Sequence, residues 1–321
     1  MVAQPSPDDA SEARKGVGPL IPPLSDTLRP LRQQVFERIR AAGLIPRVQL
    51  AKDLGVSPAS VTTITSELID SGLIEEIAAA REGEVVRGRP AVALGVRASA
   101  HRVAGMKLSD REHTAVIVDF AGNLIADDVI PRRPGPMEVS ELIDAVETLL
   151  GRVCAKAGMD RADLSAIGIG VPGFVDSAEG MVLWSSTLIE RAVPLAALTA
   201  DRLGVPVSID NDANLVALAE LWFGAGRSLS DFAVVTIEHG VGMGFVMNHR
   251  LYRGAQRLGM ELGHTKVHLD GALCRCGQRG CLEAYVADYA LAREATTALN
   301  RSHLENPSIP ALLESLYDHA K

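Results

Sequence analysis

Four side chains able to bind a soft metal fall within eighteen residues: His264, Cys274, Cys276 and Cys281. Three thiols and one imidazole make up the tetrahedral N/S set that zinc takes at structural sites, with no open position left for a substrate. Gly277 and Gly280 permit the tight backbone that such a knuckle needs. The chain has four cysteines and three of them gather here. A disulfide or unligated thiols are the rival readings, and a reducing compartment disfavours the first. The expectation is one structural zinc. Cys154, alone in a helical stretch, reads as a small buried hydrophobe.

A second group of residues has the types and spacing for nucleic acid. Leu31, Val35, Ile39 and Ala42 recur at helical spacing and Gly43 stops the helix. A second helix runs from about Arg47 to Leu54, with Val48, Leu50, Ala51 and Leu54 expected inside and Gly55 suited to a left-handed cap. A third begins at Ser57, a capping residue followed by Pro58 in the tolerated first position, buries Val61, Ile64 and Leu68, and ends at Gly72. Two short helices around a tight turn form a helix-turn-helix, whose second helix enters the DNA major groove. Ser57 caps it, and Ser60, Thr62, Thr63 and Ser66 would face outward. Leu73 to Ile77, Gly83 and Val85–Val86 read as the two-stranded wing. The third helix has no Lys or Arg between Ser57 and Ser71, so Arg47, Lys52 and the wing must grip phosphate. The wing ends in Arg87-Gly88-Arg89-Pro90, which resembles an AT-hook core suited to a narrow minor groove. The alternatives are a three-helix packing module and an ordinary basic linker.

The elements that must carry these residues divide a chain of 321 residues and 34.1 kDa. At about 150 residues per domain, two domains are expected. With 47% hydrophobic and 22% charged residues, wholesale disorder and fibrous architectures are excluded. Apolar runs fall far short of the roughly 20 residues of a membrane helix. Pro5, Pro7, Asp8 and Asp9 stand where a secretory peptide needs an apolar stretch, so a cytoplasmic protein is expected. Net charge is −8, yet residues 28–97 carry ten basic against eight acidic residues. The body is therefore acidic and unsuited to being wrapped in nucleic acid. Residues 1–27, with five prolines, read as a flexible tail. Residues 28–90 read as the DNA-binding domain and residues 98–321 as an α/β body. In that body Val103–Leu108, His113–Phe120, Ile167–Val171, Phe232–Glu238 and Gly244–Met247 are expected strands, and Glu138–Ala155 and Ala213–Phe223 expected helices.

Gly168 to Gly173, Asn211-Asp212-Ala213-Asn214, the alternating glycines Gly240, Gly242 and Gly244, Glu261-Leu262-Gly263-His264, and the run from Cys274 to Glu283 together resemble the ROK family of repressors, open reading frames and sugar kinases. The resemblance covers about residues 103–283. It implies an actin/hexokinase-like body, and the winged helix-turn-helix in front resembles the family's xylose-repressor and N-acetylglucosamine-repressor branch. By position, Asp212 matches the base that takes a proton from the sugar 6-hydroxyl in the kinases. Asn211, Glu261, His264 and Glu283 match sugar-contacting positions, with one His264 nitrogen on zinc and the other on a hydroxyl. Zinc would then orient His264 and the loop bearing Glu283, without acting as a Lewis acid. A carboxylate at a helix start is also stabilised by the helix dipole alone. Asp212 is therefore expected to contact sugar only, and no catalytic residue is assigned.

The resemblance also implies what is missing. In the kinases a first hairpin of the form Asp-x-Gly-Gly-Thr receives ATP phosphates; here the stretch is Lys107-Leu108-Ser109-Asp110-Arg111, with no glycine between Gly105 and Gly122. An anionic Asp110 would repel ATP. His239 stands where a small hydroxyl residue is usual, and Thr187 near a position where the family often has a sugar-binding Asn. Residues 282–321 contain no glycine, so the second lobe is expected to be short at its C-terminus, without an adenosine wall. Leu312, Leu313, Leu316 and Tyr317 could cap the exposed face. The resulting expectation is a sugar-responsive repressor with no kinase activity, a homodimer binding operator DNA. Its effector would be a monosaccharide or amino sugar. The alternatives are a hexose or N-acylhexosamine kinase using Asp212, and a ligand-blind DNA-binding remnant.

Overall fold

The computed structural model describes residues 16–21, 29–78, 92–133, 135–255, 260–298 and Ile309. The chain forms two units, Met1–Asp212 with Ala219–Ser230, and Ala213–Leu218 with Asp231–Lys321.

The first unit opens with a winged helix-turn-helix: α1 (Leu31–Ala42), β1 (Leu44–Pro46), α2 (Arg47–Leu54), α3 (Pro58–Asp70), β2 (Ile74–Ala78) and β3 (Val92–Val96). Val35, Ile39, Leu50, Val61, Leu68, Ile74 and Leu94 form its core. Ser57 caps α3 by accepting the Ser60 amide at 3.1 Å, and Gly55 takes the left-handed conformation that ends α2. The sheet order is β1-β3-β2, all antiparallel.

Two expectations are corrected here, and part of a third lies outside the described residues. Val92–Val96 pairs antiparallel with Ile74–Ala78 and lies at the centre of the sheet, whereas Gly83 and Val85–Val86, expected in the wing, lie outside the described residues. β3, which follows the segment expected to end the head at residue 90, completes this sheet by pairing with both β1 and β2. Residues 79–91, with Arg87, Gly88 and Arg89, join β2 to β3 and lie outside the described residues. Val48 is 66% exposed. It sits two positions from Leu50, about 200° around a helix, so both cannot face one core. Finally, Val17, Gly18 and Leu20, expected in a flexible tail, donate backbone hydrogen bonds to Arg40, Trp222 and Arg227 at 2.7–2.9 Å.

The rest of the first unit is built on β4 (Arg102–Leu108), β5 (Glu112–Asp119), β6 (Leu124–Pro131), α4 (Val139–Ala157), β7 (Ala166–Val171), a β8–β9 hairpin (Phe174–Asp176, Met181–Trp184), α5 (Leu195–Leu203) and β10 (Val207–Asn211). The main sheet has order β10-β7-β4-β5-β6. β7 runs parallel to both β4 and β10, and the β4–β5–β6 meander is antiparallel. Leu142, Val146, Leu149 and Val153 give α4 a buried stripe at helical spacing, which packs with Met106, Ile117, Ile167 and Ile169 of the sheet in one core.

On β6, Asp128 is only 6% exposed. Its carboxylate accepts from Arg152 Nε at 2.6 Å and Lys156 Nζ at 2.8 Å, both on α4. Hydrogen bonds from Lys156 and Arg152 hold its carboxyl well below the usual carboxylate value of 3.8. A carboxyl depressed on folding contributes stability above its unfolded value, and that contribution fades as pH falls toward the folded one. Asp128→Asn should therefore lower the urea midpoint at pH 7, and the gap from wild type should close steadily below about pH 4. A gap independent of pH would refute the ion-pair account.

In the second unit β11 (Phe232–Ile237), β12 (Val241–Met247) and β13 (Arg250–Tyr252) form an antiparallel sheet in that order. Asn248 and His249, both with φ above +50°, make the tight β12–β13 turn. One helix, α6 (Asp212–Phe223), belongs to both units. Its turns within the second unit press on β12, where a Cβ at Gly244 would come 2.5 Å from the Ala213 carbonyl and 2.6 Å from Ala217. Two short helices, α7 (Glu283–Val286) and α8 (Asp288–Ala298), follow. Leu312, Leu313, Leu316 and Tyr317 lie outside the described residues. Among the described residues no helix is long and apolar enough to cross a membrane.

Candidate functional site

The potential ligand atoms of His264, Cys274, Cys276 and Cys281 all lie within 4.8 Å of one another. Cys276 and Cys281 Sγ are 3.8 Å apart, as are Cys274 Sγ and His264 Nδ1. A tetrahedron with metal–sulfur bonds of about 2.3 Å has edges of about 3.8 Å, so two donor pairs already stand at the spacing of such an ion and the set as a whole is close to it. The backbone serves the same end. Gly280 has φ +76° and a Cβ there would stand 1.7 Å from the His268 carbonyl, so the chain can double back only at glycine. Burial pushes the Cys281 thiol up, but Lys266 Nζ at 3.0 Å and the neighbouring donors outweigh it and bring it down to about 7. Its thiolate is thus accessible near neutral pH. Burial instead pushes Cys274 up to about 12, with Glu283 adding to the effect. An ion that took both thiolates would relieve that cost.

The knuckle fixes Glu283. The residue is 8% exposed; its carboxylate accepts the Val241 amide at 3.3 Å and lies 3.5 Å from Cys274 Sγ. A Cβ at Gly240 would sit 2.9 Å from that carboxylate, so the glycine makes room for the acid. His264 ends a short 3-10 turn that begins after Glu261; His264 is half-buried and Glu261 exposed. These residues belong to the second unit.

Asn211 and Asp212 belong to the first. β7 and β10 end together, Val171 opposite Asn211, and the carboxyl ends of parallel strands are where α/β sheets bind ligands. The Asn211 amide donates to the Gly173 carbonyl at 2.9 Å. Asp212 opens α6, where the helix dipole favours its charge. The pairing with Gly173 leaves no local signal in the sequence. A Cβ at Gly173 would clash with the Trp184 carbonyl at 2.2 Å, so the β8–β9 hairpin is seated directly beside Asn211.

The hairpin between β4 and β5 is closed by its own side chains together with Arg132 and Ser186. Ser109 Oγ donates to the Glu112 carbonyl at 2.6 Å. Asp110 pairs with Arg132 at 3.5 Å and accepts from Ser186. Arg132 also donates to the carbonyls of Ser109, Gly135 and Thr187. Beneath it His113 is buried, and burial followed by the Arg132 charge pushes the ring down to about 4. The ring is thus neutral at pH 7.

On the head, Ser57, Ser60, Thr62 and Thr63 are all exposed along α3. The Thr62 and Thr63 hydroxyls donate back to Pro58 and Ala59, leaving their lone pairs outward. Lys52 is exposed as well. Arg47 is half-buried and engaged within the head: its Nε donates to buried Thr65 at 3.0 Å and it pairs with Glu76 at 2.7 Å.

A family model described as ROK family matches residues 104–314, and one described as winged helix-turn-helix DNA-binding matches residues 28–75. The chain is 31% identical to the xylose repressor of Caldicellulosiruptor bescii over 257 residues, 80% of this chain and 63% of that protein. It thus spans less than two thirds of that relative. Among solved structures, a ROK family transcriptional regulator homologous to Escherichia coli Mlc superposes with a TM-score of 0.68 at 30% identity, covering 86% of this chain and 68% of the other. A Streptomyces griseus ROK family glucokinase, solved with glucose and AMPPNP, gives 0.56 at 31% identity, covering 63% and 62%.

Proposed function

Because the chain belongs to the ROK family, we propose that it is a sugar-responsive transcriptional repressor, acting on operator DNA in the cytoplasm as a homodimer. The observation that carries this reading is one chain joining a winged helix-turn-helix to a ROK body whose first hairpin is filled by Ser109 and the Asp110–Arg132 pair. An anionic side chain there disfavours triphosphate, and phosphoryl transfer depends on neutralising that charge. The body keeps polar groups suited to a monosaccharide or amino sugar: Asn211, Asp212, Glu261, His264 and Glu283. Amides and carboxylates grip adjacent hydroxyls through paired hydrogen bonds. Zinc, held by His264, Cys274, Cys276 and Cys281, would brace the loop that ends in Glu283. His264 Nδ1 faces the sulfurs, leaving Nε2 for a sugar hydroxyl.

On DNA, α3 enters the major groove with Ser57, Ser60, Thr62 and Thr63 toward base edges or phosphates. Arg87 and Arg89, flanking Gly88, reach the minor groove, and Lys52 supports phosphate contact. Arg47, committed to Thr65 and Glu76, contributes less than its sequence position promises. Effector binding favours a conformation with lower operator affinity.

Fluorescence anisotropy with DNA from upstream of the coding region, titrated with hexoses, pentoses and amino sugars, tests the proposal. Binding weakened about five- to 150-fold by one sugar is expected, and no binding to any such DNA would end it. The likeness to a glucokinase keeps a kinase reading in play. ADP release dependent on sugar and abolished by Asp212→Asn would establish that reading instead.

A further inference from the structure

Helix α6 starts at Asp212 and ends against the DNA-binding head. Its last turn and the residues after it meet α1 through the short strap of residues 16–21, where backbone and guanidinium groups interlock. Gly18 N–H donates to the Trp222 carbonyl at 2.7 Å, Leu20 N–H to the Arg227 carbonyl at 2.8 Å, and Val17 N–H to the Arg40 carbonyl at 2.9 Å. Arg227 Nε donates to the Gly18 carbonyl at 2.9 Å and its Nη2 to the Ala41 carbonyl at 2.7 Å. Ala41 is in the last turn of α1, where carbonyls have no partner within the helix. One guanidinium therefore ties the strap to the head and hangs from the segment that follows α6.

The packing is as specific as the hydrogen bonding. The Arg40 guanidinium lies over the Trp222 ring at 4.1 Å, a cation–π contact joining α1 to α6. A Cβ at Gly16 would stand 1.9 Å from the Ala41 carbonyl. Gly18 is buried with φ +95°, and a Cβ there would press on Arg40. The strap thus fits only with glycine at these two points. A separate contact, the Phe36–Phe120 ring stack at 5.7 Å, joins α1 to the turn after β5. Among the described residues, the contacts that hold the head include this apolar stack and the polar clasp fixed to the end of α6.

A 12-residue helix is about 18 Å long and stiff, so a displacement at its first turn reaches its last. We propose that Arg227, together with the strap Gly16–Leu20, is the positioning device through which effector bound at Asp212 sets the orientation of the DNA-reading head. This rests on the sugar-response reading above. The clasp touches neither DNA nor sugar. It determines how strongly occupancy of one alters affinity for the other, a coupling between sites.

The test uses the full chain and the sugar that acts on the wild type. Operator affinity is measured by anisotropy with and without that sugar, and sugar affinity by calorimetry. In Arg227→Met, sugar affinity should stay within about threefold of wild type, while the ratio of operator Kd with and without sugar drops from about tenfold or more to below twofold. Arg227→Lys should show the same loss, because a single ammonium cannot reproduce the forked bonds to Gly18 and Ala41. Gly16→Ala, which unseats the strap without touching Arg227, should match both and serves if the arginine variants fold poorly. Unchanged ratios in folded variants would overturn the clasp while leaving the repressor reading intact. A wild type that binds operator and sugar with a ratio of one would instead overturn sugar-responsive repression, and the clasp with it.

Discussion

Cys281→Ser is expected to abolish bound metal. Wild type should carry one zinc per chain by plasma mass spectrometry, and the variant less than about a tenth of that. The reason is the three-sulfur, one-nitrogen geometry: a hydroxyl does not ionise near neutral pH and cannot replace a thiolate whose pKa is brought to about 7. Structural zinc supplies about 10–16 kcal/mol of apparent binding energy in small zinc domains at pH 7, so its loss is large. Residues 264–283 should loosen, freeing Glu283 from the Val241 amide, and sugar binding should fall at least tenfold. Operator binding without sugar should persist, because the head has its own core. Zinc-free wild type with full sugar affinity would refute this account.

The second large effect belongs to the wing. Replacing both Arg87 and Arg89 with alanine should weaken operator binding by about 2–4 kcal/mol, roughly thirty- to a thousandfold, and flatten the log–log salt dependence by about two units. α3 cannot compensate, having no Lys or Arg and exposing Glu67 and Asp70. Ser60→Ala with Thr62→Ala should behave differently, relaxing sequence preference with a smaller loss of affinity and an unchanged salt slope. Anisotropy across a salt series separates the two. A double-arginine variant with wild-type slope would exclude the wing from the phosphate interface.

Features encoded within one stretch of chain are legible in the amino-acid sequence. The knuckle is local, and its four donors converge as their spacing predicts. α1, α2 and α3 follow from apolar spacing with Ser57, Pro58 and Gly55 as punctuation. β3 escapes such a reading because a central strand buried on both faces shows no alternation: four of its five residues are buried. Pro90, just ahead of it, has the character of a boundary. The same limit hides the strap, whose partners Trp222 and Arg227 lie about two hundred residues away. Arg47 has the sequence position of a phosphate contact, but its partners Thr65 and Glu76 come from other elements. Asn211 is recognisable from its motif, whereas its tie to Gly173 depends on the register of two parallel strands.

The central place of β3 has a bearing on how such a protein can diversify. Because the segment carrying Arg87 to Arg89 is inserted between two strands already paired with each other, its length and composition can drift while the hydrophobic seam of Ile74, Leu94 and Val96 stays as it is. Change in that segment is thereby uncoupled from the packing of the strands that flank it. Conversely, a fragment ending at residue 90 would lose the strand that joins β1 to β2 and, with it, the means to fold.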